Sequence, residues 1–275
     1  MCLILLAYRA HPDAEVVLAG NRDEFYARAA APPALIARAP RIYAGRDLEA
    51  GGTWMGRNEY GLLVALTNRR STEAPPNAHS RGEIVRALLG HRDPEGAAEW
   101  IAGLEVEHYR PFNVLFGTAG RFYYAASREE AQPRELEPGF YALSNSHLDD
   151  RSWPKVARSL RFLERVRTLD GESLLLAMQA FLCDPTPPDA LPPAEPGEEA
   201  HGPLGAVFVR TPGYGTVSAS IITAGGSLGD RYYFAEAEAM RIAQQGWART
   251  AFGNGDGLVP PSAEGSPFRR LAFGE

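Results

Sequence analysis

The sequence predicts an α+β fold with a four-layer αββα arrangement, and three observations carry that prediction. The chain opens in an apolar run of strand length; strand-like and helix-like stretches then follow as strands, helix pair, strands, helix pair, strands; and the strands lie in hairpin-like succession. Antiparallel sheets apolar on both faces need cover on both, which two stacked sheets with helices outside supply. With 275 residues and 45% apolar content the chain can fill one large core. A single domain is expected over 1–250, followed by a loosely held Gly- and Pro-rich tail over 251–275.

The first elements are runs 2–8 (CLILLAY) and 15–20 (EVVLAG), separated by His11-Pro12-Asp13, which read as a hairpin at the extreme amino end. The Pro- and Ala-rich stretch 27–40 is expected to be irregular. Segments 52–57 and 61–68 form a second hairpin around Asn58-Glu59-Tyr60-Gly61. Ser80 followed by Glu83 is a capping-box pattern opening the helix GEIVRALLG, and PEGAAEWIAGL repeats a helical period. Strands return at FNVLFGT, RFYYAAS and FYALSN, and helices at roughly 153–167 and 172–183. The acidic, Pro-rich 184–203 reads as a surface loop, and AVFVRT, GTVSASIITA and DRYYFAEA as closing strands.

Several functions are disfavoured at this stage. A net charge of −6 and a pI near 5.6 lack the positive field that nucleic acid or an anionic membrane requires. The opening MCLILLAYRAH is too short for a signal peptide or a membrane span, so a cytoplasmic protein is expected. Two cysteines without CxxC spacing support neither a disulfide framework nor a metal site, and no metal or cofactor is expected.

The residue that points to chemistry is Cys2. Removal of Met1, expected before so small a side chain, leaves a thiol and an α-amine on one residue, nucleophile and base together. A buried strand cysteine is the plainer alternative. If runs 2–8 and 15–20 pair, the polar run Asn21-Arg22-Asp23-Glu24 lies near Cys2. Arg22 there favours a thiolate electrostatically, and Asp23 or Glu24 orients the Arg or the amine. Asn68 and Asn145 end apolar strands and are amides of the type that stabilises an oxyanion. Trp54, Tyr60 and Tyr214 stand at strand and loop junctions, in a pocket lining or in the core.

MCLILLAY, AGNRDEFYAR, GGTWMGRNEYGLLVALTNRR, HSRGEIV, LSNSHLDDRSWPKV and TPGYGTVSAS occur in an order that resembles the family named for its Asn-Arg-Asp-Glu motif, also called the Transport and Golgi organization protein 2 family. The resemblance covers most of residues 1–225. More distantly the pattern is similar to cysteine N-terminal-nucleophile (Ntn) hydrolases of the penicillin V acylase and bile acid hydrolase type, which implies the αββα fold. It also implies catalytic roles for Cys2, Arg22, Asp23, Asn68 and Asn145, with Asp23 and Glu24 competing for the acidic one. Asn21, Glu24, Trp54 and Tyr214 are the substrate-binding candidates. Val217 departs from the family's common Tyr-Gly-Thr-Arg, an Arg that would suit an acidic substrate group.

Two functions follow from this pattern. In the first, Cys2 attacks the carbonyl of an amide or acyl thioester of a small molecule. In the second, a non-catalytic protein uses the same pocket to bind and traffic haem or an acyl-lipid or acyl-CoA, with Cys2, Tyr8, His79 or His147 touching the ligand. Substrate and oligomeric state are beyond the sequence.

Overall fold

The computed structural model describes residues 2–69, 75, 77–127, 132–188, 202–246, 248–249, 258–259 and 265–273. The chain begins with β1 (Leu3–His11), β2 (Ala14–Phe25), β3 (Ala30–Arg38), β4 (Arg41–Asp47), β5 (Met55–Asn58) and β6 (Leu63–Asn68). Helices α1 (Arg81–Leu89) and α2 (Pro94–Ala102) precede β7 (Phe112–Gly117), β8 (Phe122–Ala126), β9 (Arg134–Glu135) and β10 (Gly139–Leu143). Next come α3 (Pro154–Val166), α4 (Gly171–Leu182), β11 (Tyr214–Ala224), β12 (Arg231–Glu236) and α5 (Ala237–Gly246). Three two-residue strands close the chain: β13 (Ala248–Arg249), β14 (Leu258–Val259) and β15 (Arg269–Arg270). Among the described residues, no helix is long and apolar enough to cross a membrane.

By packing, the chain divides into two compact units. The first comprises Met1–Ala27, Phe140–Leu143 and Leu148–Glu275. Its sheet has the order β10-β1-β2-β11-β12-β15. The β1–β2 hairpin pairs Leu3 with Asn21 and Tyr8 with Val16, so Leu3, Leu5, Ala7, Val17 and Ala19 share one face. That face packs on Leu174, Leu175, Met178 and Phe181 of α4 and Phe162 of α3. The Phe162 and Phe181 rings stack with centroids 4.1 Å apart, worth about 0.5–1.5 kcal/mol beyond the buried area. Ile4, Leu6 and Leu18, on the other face, are buried as well, which explains why β1 and the start of β2 read as continuous apolar runs rather than alternating ones.

Polar side chains tie this unit where the backbone has no ladder partner. Asn21 Nδ2 donates to Leu182 O and to Val207 O, both at 2.9 Å, holding the end of α4 and the buried segment 206–209 to β2. That segment is where AVFVRT was expected as a strand. It is not one: only an isolated bridge, Arg210 to Gly215, forms, while Thr216 N donates to Val209 O and Val209 N donates to the Thr216 hydroxyl. Its apolar run reflects burial without a ladder. At the far sheet edge, β15 pairs with β12, and Phe268 enters the core.

The second unit, Arg28–Gly139 with Ser144–His147, carries the sheet β3-β4-β5-β6-β7-β8-β9. Its core is formed by Val64, Leu66, Val114 and Phe116 against Ile84, Val85, Leu88 and Leu89 of α1 and Ala97 and Ile101 of α2. Asn58 is fully buried and clamps the β5–β6 turn: its Oδ1 accepts from Tyr60 N and Leu62 N, and its Nδ2 donates to Leu89 O and His91 O. Stretch 27–40, expected to be irregular, contains β3. Being at the sheet edge, with register shifts between Ala31 and Ala34 and between Leu35 and Ala37, it tolerates Pro32 and Pro33. Ser80 is the N-cap of α1, yet its side chain makes no capping bond; the cap of α2, Asp93, does bond Gly96 N at 2.8 Å. The expected surface loop 184–203 falls largely outside the described residues.

Candidate active site

In the first unit, the site grows from the register of three strands. Leu3 pairs with Asn21 at the end of the ladder, and Cys2, directly before β1, and Arg22, directly after Asn21, are the residues that flank that last pair. Side chains alternate along β2, which puts Arg22 on the face away from α3 and α4, opposite to Asn21. Cys2 is half-buried and Arg22 buried. No disulfide joins Cys2 to Cys183.

The alternation also separates the two competing carboxylates. Glu24 is on the Arg22 face, its Oε2 3.9 Å from Arg22 Nη2, and it is partly exposed. Asp23 projects to the helix side and is wholly enclosed, with Oδ1 accepting from the Thr216 hydroxyl at 2.7 Å and Oδ2 lying 3.5 Å from Lys155 Nζ. Burial pushes the Asp23 carboxyl above the usual carboxylate range; the Lys155 ammonium pulls the other way, followed by the charge at the amino terminus and the Thr216 bond. The two acids thus take different cations, Glu24 the arginine and Asp23 the lysine.

β11 completes this part. Thr216 pairs with Asp23 and Ser218 with Arg22, so Val217 is the extra residue of a β-bulge, half-buried between two residues that oppose the Arg22–Asp23 pair. Tyr214 donates its hydroxyl to Asp23 O at 3.1 Å and meets the exposed Phe25 ring edge-on at 5.3 Å. Gly215 admits the Tyr26 hydroxyl, since a Cβ there would fall 2.5 Å from Val209 O and still nearer that hydroxyl. Asn21 belongs to the helix side with Asp23, its amide used on Leu182 and Val207 as above.

Asn68, Asn145 and Trp54 belong to the second unit. Asn145 is buried, and its Nδ2 donates to Asn68 O at 2.6 Å. Register sets the Asn68 side chain on the face of its partner Phe112. The segment bearing Asn145 is held by a buried hub the sequence reading missed. Asn113 Nδ2 donates to Ser146 O at 2.8 Å and to the Thr67 hydroxyl at 3.2 Å, Thr67 donates to Ser144 O at 2.6 Å, and Tyr124 donates to Asn113 Oδ1 at 3.0 Å. Trp54 lies over Gly45, where a Cβ would fall 2.5 Å from its Cη2, so the indole is packed on a strand.

Lys155 and Thr216 were also missed. Both lie inside motif blocks that the sequence reading quotes, but neither carries a local spacing that announces a partner. Composition held one signal: Lys155 is the only lysine among 28 Lys and Arg residues. No cluster of three or more His, Cys, Asp or Glu able to hold a metal occurs among the described residues.

Comparison with known proteins agrees with this architecture. Residues 1–238 match the family model described as Transport and Golgi organisation 2. The Transport and Golgi organization protein 2 homologs of Bos taurus and Homo sapiens are each 31% identical, over 247 and 248 residues, covering 81% of this chain and 88% of each relative. A crystal structure of the C2A mutant of conjugated bile acid hydrolase from Clostridium perfringens superposes with a TM-score of 0.50 at 9% identity, covering 100% of this chain and 97% of that one. That likeness shows the fold: α+β, of the Ntn-hydrolase type.

Proposed function

The chain belongs to the Transport and Golgi organisation 2 family, and on the geometry around β1 we propose that it is an Ntn-type cysteine hydrolase acting on an amide or acyl thioester of a small molecule. The observation that supports this reading is the β1–β2 register: its last pair, Leu3–Asn21, is flanked by Cys2, the first residue once Met1 is removed, and by buried Arg22, with enclosed Asp23 next on β2.

In this mechanism the Cys2 sulfur attacks the carbonyl carbon, and the thiol proton passes to the α-amine of the same residue. Arg22 gives the sulfur a cationic neighbour. Collapse of the tetrahedral intermediate breaks the C–N or C–S bond; the α-ammonium returns its proton to the leaving group, and a thioester on Cys2 remains. Water, deprotonated by the amine, then hydrolyses the thioester and frees the thiol. Tyr214, Glu24 and Val217 are the proposed substrate contacts. A reducing compartment such as the cytoplasm suits an amino-terminal thiol that must stay free to react.

The test begins with intact mass, which is expected to lack Met1. Wild type and Cys2→Ala are then incubated with a panel of N-acyl amides and acyl thioesters and titrated in parallel with haem and long-chain acyl-CoA. Turnover and a covalent acyl adduct in wild type, both lost in Cys2→Ala while binding persists, are the expected result. Retained Met1, or micromolar binding with neither turnover nor adduct, defeats the hydrolase and favours a carrier.

A further inference from the structure

Lys155 stands where a lysine is least expected. It occupies the first turn of α3, directly after Pro154, where the helix dipole disfavours a cation, and its side chain is 0% exposed. The other 27 of its 28 Lys and Arg residues are arginine, and the single lysine is fully buried. A lysine ammonium is a compact point charge, unlike the planar fork of arginine, and suits a closed site with one carboxylate. The acid it meets is Asp23, two residues along β2 from Asn21, the partner of Leu3.

We propose that Lys155 is a positioning residue of the amino-terminal cysteine: it holds and orients the Asp23 carboxyl group from the helix side of the sheet, so that Asp23 holds the α-amine of Cys2 in place. The inference rests on the reading of Cys2 as an amino-terminal nucleophile. Geometry supports a division of labour. Thr216 fixes Oδ1 of Asp23, Lys155 faces Oδ2, and Tyr214 fixes the backbone carbonyl, so the carboxylate is held from α3 and from β11. The charged or titratable groups around Asp23 are Lys155 from α3, Tyr214 from β11, the amino group of Met1, the residue whose removal would expose Cys2, and Arg22 and Glu24, paired on the opposite face of its own strand. Of these, Lys155 contributes the largest Coulombic effect favouring the ionised form, opposing the burial that favours the neutral one.

The measurement is the rate of Cys2 alkylation by iodoacetamide between pH 4 and 9, read by peptide mass. It is made on wild type, Lys155→Met, Lys155→Gln, Lys155→Arg, Asp23→Asn and the Lys155→Met/Asp23→Asn double variant. Wild type is expected to show an ionisation step that Asp23→Asn removes. In Lys155→Met and Lys155→Gln that step moves to higher pH by about 1–3 units, the usual effect of losing one close opposite charge. Lys155→Arg moves it back towards wild type, and the double variant has no step. Lys155→Gln retains a donor and much of the volume, and the double variant leaves no unpaired charge, so the comparison survives if Lys155→Met does not fold. A merely structural lysine would lower Tm in Lys155→Met and Lys155→Gln and leave the step where it is. An unmoved step, or a wild-type profile without one that depends on Asp23, overturns the assignment of Lys155 while leaving Cys2 as the nucleophile. Retained Met1 overturns both.

Discussion

Cys2 and Cys183 carry the same thiol in opposite surroundings. Cys183 caps the end of α4, fully enclosed, and burial, with the Asp184 carboxylate behind it, holds its thiol well above the ordinary range. Cys2 is half-buried, directly before β1, whose first residue pairs with the neighbour of Arg22. In the folded protein at pH 7, alkylation is expected at Cys2 at least about tenfold faster than at Cys183, equalising in denaturant. Peptide mapping after brief iodoacetamide treatment reads this directly, and comparable labelling of both would remove the case for a reactive Cys2. The pairing of β1 with β2 was legible in sequence because two apolar runs joined by a short turn fold back on each other, and that register alone brings positions about twenty apart together. Lys155 was not, because its partner is 132 positions away and no local period links the two.

Among elements, strands and helices with a one-sided or continuous apolar pattern were legible, as in β1, β7, β8, α3 and α4. β3 was not: its prolines read as a coil, and its edge position, invisible in sequence, lets a strand keep them. AVFVRT failed in the opposite sense, because burial without a ladder leaves the same apolar signature as a strand. Asp47 shows how a connection is secured without either pattern. Its carboxylate accepts from Glu49 N, Ala50 N and Arg28 Nε, closing the turn after β4. Burial pushes this carboxyl up, but the Ala50 amide and Arg28 outweigh it and hold it below the usual range. A carboxyl depressed on folding adds stability that is complete above its unfolded value, about 3.9, and is lost as pH falls through the folded one. Asp47→Asn is expected to cost about 0.5–1 kcal/mol in urea unfolding at pH 7, and progressively less as pH falls below about 3.9. A difference constant with pH would show that the charge is immaterial and only the turn geometry counts.

At the level of the whole molecule, the order of strands and helix pairs made the fold class legible, and a structure 9% identical shares it. What the sequence left open was how polar side chains are apportioned inside each unit: Asn58 and Asn113 read as turn and strand residues and are buried hubs. The enclosure of Lys155 reaches beyond any active site. Apart from the amino terminus, this chain has one amine, and folding hides it. An N-hydroxysuccinimide ester at neutral pH is therefore expected to tag each folded molecule once, at its amino terminus, with a second tag only on unfolding; two tags in the native state would refute the enclosure. In a cell, conjugation systems that build isopeptide bonds on lysine would find no acceptor on the native surface, so the folded form would escape them until α3 is released and Lys155 emerges.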